Sequence, residues 1–148
     1  MGPIVLILVL LSACSAPHKE IGQTPSGACS YRYYDMEIIW TTAPTGNAIH
    51  LTGTVRNLRS FFLQDFELTA ILLDENGRAL AESSTPPSPN LINMNEPVPF
   101  SLKFVLTPGQ IAKKIRFKYT YYIKESPPAV RGGRDEGVPR THSFEADL

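Results

Sequence analysis

The chain has 148 residues, of which 43% are hydrophobic and 19% are charged, values that are ordinary for one globular domain. Fourteen basic and fourteen acidic side chains cancel at neutral pH. Because no net charge attracts the chain to a polyanion, we expect no nucleic-acid partner. The 13 prolines and 10 glycines lie among short runs rich in β-branched and aromatic residues, which favours many short strands over long helices.

An uninterrupted apolar run occupies residues 4–11 near the N-terminus. Its length suits the hydrophobic region of a secretory signal peptide and falls well short of the roughly 20 residues that span a bilayer. Small residues follow the run, as they do before a cleavage site. We therefore predict that residues 1–13 are an export signal and not a transmembrane anchor.

The residues at the end of this segment, Leu11-Ser12-Ala13-Cys14, resemble the lipobox of bacterial lipoproteins. In that family a dedicated signal peptidase cuts before the cysteine once its thiol carries diacylglycerol. The resemblance implies cleavage between Ala13 and Cys14 and stable membrane attachment through more than one acyl chain on Cys14. Ser15 is not Asp, which by the same resemblance implies the outer membrane, facing the periplasm. The alternative is a disulfide between Cys14 and Cys29.

Three further segments differ in composition. Residues 14–30 are polar and rich in Pro, Gly and Ser, so we predict a lipidated cysteine followed by a flexible tether. Residues 31–125 carry the patterns of a folded domain. Residues 126–148 begin with paired prolines and glycines that are typical of a loop, and the last seven residues alternate in a way that predicts one further edge strand.

Alternation of apolar and polar side chains predicts the strands of the domain. The apolar faces consist of Ile49, Leu51, Gly53 and Val55; Phe66, Leu68, Ala70 and Leu72; Phe100, Leu102, Phe104 and Leu106; and Ile115, Phe117, Tyr119, Tyr121 and Ile123. Asp74-Glu75-Asn76-Gly77 predicts a hairpin turn, because its glycine can adopt positive φ. With further strands near residues 34–41 and 91–94, the sequence predicts an all-β, immunoglobulin-like β-sandwich of six to eight strands. A barrel is the alternative.

A second resemblance involves Gly53-Thr54-Val55-Arg56-Asn57, the strand from Phe66 to Leu72, and Leu73-Asp74-Glu75-Asn76-Gly77. This order of strand, Asn, second strand and Asp-x-x-Gly turn is similar to the FxLYD-type domain, an immunoglobulin-like module of bacterial lipoproteins and envelope proteins. Leu73 stands where that family has an aromatic residue. The family itself implies no reaction.

No strong catalytic or metal-binding motif occurs in the chain. The titratable groups that a site could use are three histidines and two carboxylate pairs: His18, His50, His142, Asp35 with Glu37, and Asp65 with Glu67. We expect the histidines to be solvated and the carboxylate pairs to form the polar sides of strands. We therefore expect no metal, no cofactor and no enzymatic activity.

Two surfaces are candidates for binding a partner. Phe61 and Phe62 are adjacent in a predicted loop. If their rings are exposed, they form a surface for contact with a partner. If both rings are buried, they only hold the loop against the core. Lys114, Arg116 and Lys118 form a basic row, and each charge could contribute about 1 kcal/mol near an anionic membrane. The alternative for the row is a solvated sheet face. The tryptophan and the tyrosines are expected in the core, with a stacking groove for sugar or peptide as the alternative.

The sequence therefore predicts a membrane-anchored bacterial lipoprotein whose sandwich is a non-catalytic interaction or structural module of the cell envelope. Its expected partners are the membrane, through lipid on Cys14, and an envelope protein. A periplasmic carrier of a small ligand or metal is the alternative. An envelope enzyme is the third hypothesis, and it requires a deep pocket that joins His50 to an acidic side chain.

Overall fold

The computed structural model describes residues 19–85, 91–124 and 138–148. The predicted signal peptide and Cys14 lie outside the described residues. The described part of the chain forms ten β-strands, and it contains no helix long and apolar enough to cross a membrane. The strands are β1 Glu20–Gln23, β2 Cys29–Tyr33, β3 Met36–Thr45, β4 Ala48–Asn57, β5 Phe62–Leu73, β6 Ala79–Thr85, β7 Leu91–Ile92, β8 Pro97–Val105, β9 Lys114–Lys124 and β10 Arg140–Asp147.

The strands form two antiparallel sheets that enclose one core. The first sheet has the order β1-β2-β3-β4-β8, and the second has the order β10-β9-β5-β6, with β7 also paired to β5. The two sheets meet where the ring centroids of Trp40 on β3 and Phe117 on β9 lie 4.8 Å apart. The predicted β-sandwich is confirmed. The strands that the sequence did not predict are β1 and β2, because both are short and a Pro- and Gly-containing turn joins them.

The predicted apolar faces are the ones that point inward. On β8, Val98, Phe100, Leu102 and Phe104 are buried while every intervening residue is exposed. The Asp74–Gly77 turn also forms as predicted: Gly77 has a φ of 77°, and the Asp74 carboxylate accepts hydrogen bonds at 2.8 Å from the amides of Asn76 and Arg78. Period-two alternation was therefore a reliable guide to strand orientation in this chain.

The flexible tether predicted over residues 14–30 is wrong for its second half. Glu20–Gln23 forms β1, which pairs with β2 from Glu20 opposite Arg32 to Gln23 opposite Cys29. The polar, Gly-containing composition belongs to the hairpin turn, in which Gly27 has a φ of 82° and its amide donates to the Thr24 carbonyl at 2.8 Å. The folded domain therefore begins at β1 and not at residue 31.

The folded domain also extends beyond residue 125. The last strand predicted from the C-terminal alternation is confirmed as β10, which pairs with β9 along its whole length at the edge of the second sheet. Phe144 is buried and its ring stacks on Tyr31 of the first sheet, with the centroids 3.6 Å apart. Because this contact joins the two sheets, β10 is part of the core and not an appended tail.

Asn57, at the end of β4, is fully buried and holds the loop that follows it. Its Nδ2 donates to the Phe61 carbonyl at 2.6 Å and to the Ile92 carbonyl at 3.3 Å. Its Oδ1 accepts from the Arg59 amide at 2.9 Å. One side chain thus fixes both the connection between β4 and β5 and the short strand β7.

We expect Asn57→Ala to lower the free energy of unfolding by about 2 kcal/mol or more, because it leaves buried backbone groups without hydrogen-bond partners. Urea unfolding measures this loss. Asn47→Ala is the matched control, since Asn47 lies in an exposed turn and its side chain donates one long hydrogen bond, 3.4 Å, to the Leu106 carbonyl. Equal losses for the two variants would contradict the structural role assigned to Asn57.

Candidate interaction site at the N-terminal end of the sandwich

The start of β1 lies at one end of the sandwich, called the N-terminal end below. Its elements are the start of β1, the Tyr34–Asp35 turn between β2 and β3, residues 58–61 between β4 and β5, residues 93–96 before β8, the end of β9 and the start of β10. The opposite end carries residues 46–47, the turn at 74–78, residues 106–113 and Leu148. The chain leaves and re-enters both sheets at these two ends.

Polar side chains are buried just inside the N-terminal end. This cluster, called the tyrosine–aspartate cluster, consists of Tyr31, Asp35, Tyr119, Tyr121 and His142. Asp35 is only 5% exposed, and its Oδ2 accepts a hydrogen bond from the Tyr121 hydroxyl. Its Oδ1 is buried without a hydrogen-bond partner among the described residues. The hydroxyl oxygens of Tyr31 and Tyr119 lie 3.3 Å apart and form a second polar contact.

The structure places two of these residues differently from the sequence-based expectation. Asp35 and Glu37 do not form the polar side of one strand: Asp35 lies in the turn before β3 and is buried, while Glu37 pairs with Arg56 at 3.4 Å. His142 is half-buried instead of solvated, and its ring stacks on that of Tyr119 at 5.3 Å between centroids. Residues 142 and 144 share a strand face, so the apolar Phe144 in this alternating segment was the signal in the sequence that the His142 side chain also faces inward.

Burial favours the neutral forms of the groups in this cluster. It raises the pKa of the Asp35 carboxyl, although the positive charges of His142, Arg140 and Arg59 act in the opposite direction. Burial lowers the pKa of the His142 imidazole, against the attraction of Asp35. Burial also raises the pKa values of the Tyr31 and Tyr119 hydroxyls. Burial therefore opposes the ionisation of every group in this cluster, including the Asp35 carboxyl.

We expect Asp35→Asn to raise the free energy of unfolding at pH 7 and to leave it nearly unchanged at pH 3. The folded-state pKa of Asp35 lies above its unfolded value, so its contribution is favourable below the unfolded pKa, near 3.9, and is lost as the pH rises through the folded pKa. An amide cannot ionise and escapes that loss. Urea unfolding at the two pH values measures the effect.

The control for this prediction is Asp65→Asn, which changes an exposed carboxylate at the bulge in β5. We expect it to alter the free energy of unfolding by no more than about 0.5 kcal/mol. A lower stability of Asp35→Asn than of the wild type at pH 7 would mean that the ionised carboxylate stabilises the fold, contrary to the effect expected from its burial.

A depression of about 780 Å³ opens beside the tyrosine–aspartate cluster. Its lining residues are Phe61, Ile123, Val138, Pro139, Arg140, Thr141 and His142. His142 is the residue that the depression and the cluster share. Among the described residues that line it, the depression combines apolar walls with the guanidinium of Arg140 and includes no carboxylate, an arrangement suited to an apolar group that carries negative charge.

The two surfaces singled out in the sequence lie apart from each other. Phe61 packs partly against the core, and Phe62 begins β5, both half-buried at the N-terminal end. The basic row runs along β9 and begins with Lys114, which lies opposite Leu73 at the other end of β5. The row consists of Lys114, Arg116 and Lys118, and the acidic residues Asp147 and Glu145 of β10 lie opposite the first two.

At the centre of this row, an ion pair with β10 neutralises the positive charge of Arg116. The Arg116 Nη2 and the Glu145 Oε1 lie 2.6 Å apart, and the Arg116 Nε donates to the same oxygen at 2.8 Å. Both side chains are more than 40% exposed, so this ion pair contributes little to stability. It does reduce the positive potential that the row presents to an anionic surface.

Other candidate groups are not assembled into a site. His50 is half-buried on β4, opposite Lys103 of β8, and it does not line the depression. No group of three His, Cys, Asp or Glu side chains in the described ranges could hold a metal ion. Cys29 is half-buried and forms no disulfide within the part of the chain that the structure describes. The expected core packing is confirmed for Trp40, Tyr31, Tyr119 and Tyr121, whereas Tyr33 and Tyr122 are half-buried and Tyr34 is exposed.

Comparison with known proteins defines the class of fold. No family model matches the chain, and no curated protein matches it in sequence. Among solved structures it is similar to the GAE domain of GGA2p from Saccharomyces cerevisiae, with a TM-score of 0.52 and 12% identity over 89% of this chain and 97% of that one. The yeast GGA1 GAE domain gives a TM-score of 0.52 and 15% identity over 88% of this chain and 98% of that one. At such identities the likeness shows the fold alone, an immunoglobulin-like β-sandwich.

Proposed function

We propose that the chain is a lipid-anchored, non-catalytic interaction module of the bacterial envelope, cut after Ala13 and attached through Cys14. The observation that carries the proposal is the position of this cysteine. It follows an apolar run and small residues, and the folded sandwich begins at Glu20, six positions further on. An acylated residue so close to a compact domain would hold the sandwich beside the bilayer. Ser15 favours the outer membrane, with the sandwich facing the periplasm.

The buried cluster and the depression both support a non-catalytic function. General acid–base catalysis needs a titratable side chain within reach of a bound substrate. Asp35 is almost entirely buried and is absent from the lining of the depression, and the hydroxyls of Tyr31 and Tyr119 face each other inside the core. His142 lines the depression, and no carboxylate stands beside it there among the residues that the structure describes. The buried cluster and the depression therefore suit a structural and binding role.

Two residues that carry the resemblance to the FxLYD-type domain have clear structural roles. Asn57 ties the connection between β4 and β5 to β7, and Asp74 caps the turn between β5 and β6. Both roles serve the fold and not a reaction. This supports assignment of the chain to an FxLYD-type module.

Metabolic labelling tests the anchor directly. The wild type, Cys14→Ser and Cys29→Ser are produced in a bacterium that has the lipoprotein pathway and is supplied with an alkyne-bearing palmitate. We expect label on the wild type and on Cys29→Ser, and none on Cys14→Ser, which should also retain its first thirteen residues. Label on Cys14→Ser, or its absence from both other proteins, would refute the proposal.

The depression beside His142 favours a second function, carriage of a small ligand. Trp40 is only 1% exposed, so its fluorescence is a poor reporter of binding there. A ligand that binds the folded state raises the melting temperature. If this second function holds, anionic amphiphiles raise the melting temperature of the wild type and lose the effect in Arg140→Ala. An unchanged melting temperature across a series of such amphiphiles argues against a carrier.

A further inference from the structure

The N-terminal end of the sandwich is the part of the domain closest, along the chain, to the proposed lipid anchor. We infer that this end lies against the bilayer surface, with Tyr34 and Arg59 at the level of the lipid headgroups and the opposite end pointing away from the membrane. The inference rests on the proposed acylation of Cys14. It adds an orientation and a specific membrane-contacting surface to the attachment.

The distance available to the tether limits how far this end can stand from the membrane. Five residue steps separate Cys14 from Lys19, and each step covers at most about 3.6 Å. Whatever the conformation of the intervening residues, the start of β1 lies within about 18 Å of the acylated residue. The interfacial region of a bilayer adds several ångströms on each side of its hydrocarbon core. The N-terminal end is therefore within reach of the headgroups.

Lys19, at the start of β1, contacts one strand in each of the two sheets. Its Nζ donates to the Ser143 carbonyl of β10 at 3.1 Å. The same nitrogen lies 5.4 Å from the centroid of the Tyr33 ring on β2. Because one side chain contacts β2 of the first sheet and the edge strand β10 of the second, the beginning of β1 is fixed to the body of the sandwich. The anchor consequently acts on the whole rigid domain and not on a loosely attached strand.

The side chains exposed at this end suit a membrane interface. The Tyr34 ring is 53% exposed and packs under the Arg59 guanidinium, whose central carbon lies 3.9 Å from the ring centroid. The Arg59 Nε donates to the Tyr34 carbonyl at 2.9 Å and holds the pair together. An amphipathic ring beside a cation is the combination that resides at headgroup level. Met94 and Val138 add apolar surface, with 51% and 82% of their areas exposed.

Charge alone would not select this orientation. Arg32 and Arg140 add positive charge at the N-terminal end, whereas Glu20 and Glu96 add negative charge. The opposite end also exposes apolar side chains, including Val105 at 61% and Ile111 at 65%. The position of the anchor distinguishes the two ends, because it brings only one of them to the bilayer. The opposite end is thereby left free to meet a soluble partner.

Quenching of an introduced tryptophan tests the orientation. The acylated full-length proteins Tyr34→Trp and Ile111→Trp are extracted from membranes and reconstituted in phosphatidylethanolamine–phosphatidylglycerol vesicles with a nitroxide near the headgroup. The wild type, whose single tryptophan is buried, supplies the baseline. We expect quenching of Tyr34→Trp to exceed that of Ile111→Trp at least twofold. Arg59→Glu in the Tyr34→Trp protein should reduce the quenching, and Lys113→Glu should not.

The same samples separate the orientation from the anchor, because their intact masses report acylation. Acylated protein with equal quenching at the two positions, or with stronger quenching of Ile111→Trp, overturns the orientation and leaves the anchor standing. Protein without acyl mass refutes the anchor and, with it, the orientation. Acyl mass together with preferential quenching of Tyr34→Trp supports both.

Discussion

Gly53→Ala is expected to lower the free energy of unfolding by about 3 kcal/mol, because a central strand has no room for a side chain at this position. A Cβ on Gly53 would collide with the backbone oxygen of Ile39 on the neighbouring strand β3 and would lie 2.7 Å from the Phe100 Cζ on β8. The backbone oxygen cannot move away without breaking the pairing of β3 with β4. Urea unfolding of the variant measures the loss.

Gly22→Ala is the matched control for this prediction. Gly22 also lies in a strand, β1, but the nearest atom to its added Cβ is the Ser30 Oγ at 3.8 Å, an ordinary contact. We expect a change of no more than about 0.5 kcal/mol. If Gly53→Ala were as stable as Gly22→Ala, the close approach of β3, β4 and β8 around residue 53 would be wrong.

Phe144→Ala is expected to lower the free energy of unfolding by about 3 to 5 kcal/mol, the usual cost of removing a buried phenyl ring. Phe144 is 6% exposed and contacts aromatic rings of both sheets. Its centroid lies 3.6 Å from that of Tyr31, 4.8 Å from that of Phe117 and 5.8 Å from that of Trp40. Thermal or urea unfolding gives the loss.

Leu148→Ala is the control for Phe144→Ala, because it truncates an apolar side chain in the same C-terminal segment and is expected to change the free energy of unfolding little. Leu148 follows β10 and is 42% exposed, so little apolar surface is lost on its truncation. A small effect of Phe144→Ala, similar to that of Leu148→Ala, would show that the C-terminal strand is an appendage and that the predicted end of the domain near residue 125 was right after all.

The parts of the fold that could be predicted are those encoded by neighbouring residues. On β8 and β9 the side chains alternate strictly, so the sequence alone identified which of them enter the core. The Asp74–Gly77 turn was predictable for the same reason, since a carboxylate that caps nearby amides and a glycine at positive φ are local features. Local patterns of this kind survive any change in the packing of distant strands.

The beginning of the domain could not be predicted from composition. Residues 20–23 are all exposed, so β1 has no apolar face for a periodic pattern to reveal. Its stability comes from pairing with β2 and from the contacts of Lys19 with β2 and with β10 of the second sheet. Backbone hydrogen bonds hold an exposed edge strand whatever its side chains are, so the sequence of such a strand shows no apolar pattern that identifies it. A tether and an exposed hairpin therefore have the same composition.

The tyrosine–aspartate cluster depends on contacts between residues far apart in the chain. Asp35 and Tyr121 are 86 positions apart, and their hydrogen bond crosses from one sheet to the other. Asp35 in isolation has the character of a surface turn residue, and His142 that of a tail residue. Only the arrangement of the two sheets brings them together, and for that reason the sequence assigned both to solvent.

The intact mass of the protein extracted from bacterial membranes is the most direct test of the account. We predict a chain that begins at Cys14, lacks the first thirteen residues and carries the additional mass of two or more acyl chains on that residue. A chain of unmodified mass at Cys14, or one in which Cys14 is joined by a disulfide to Cys29, would contradict the account and leave an immunoglobulin-like β-sandwich with no lipid to hold it at a membrane.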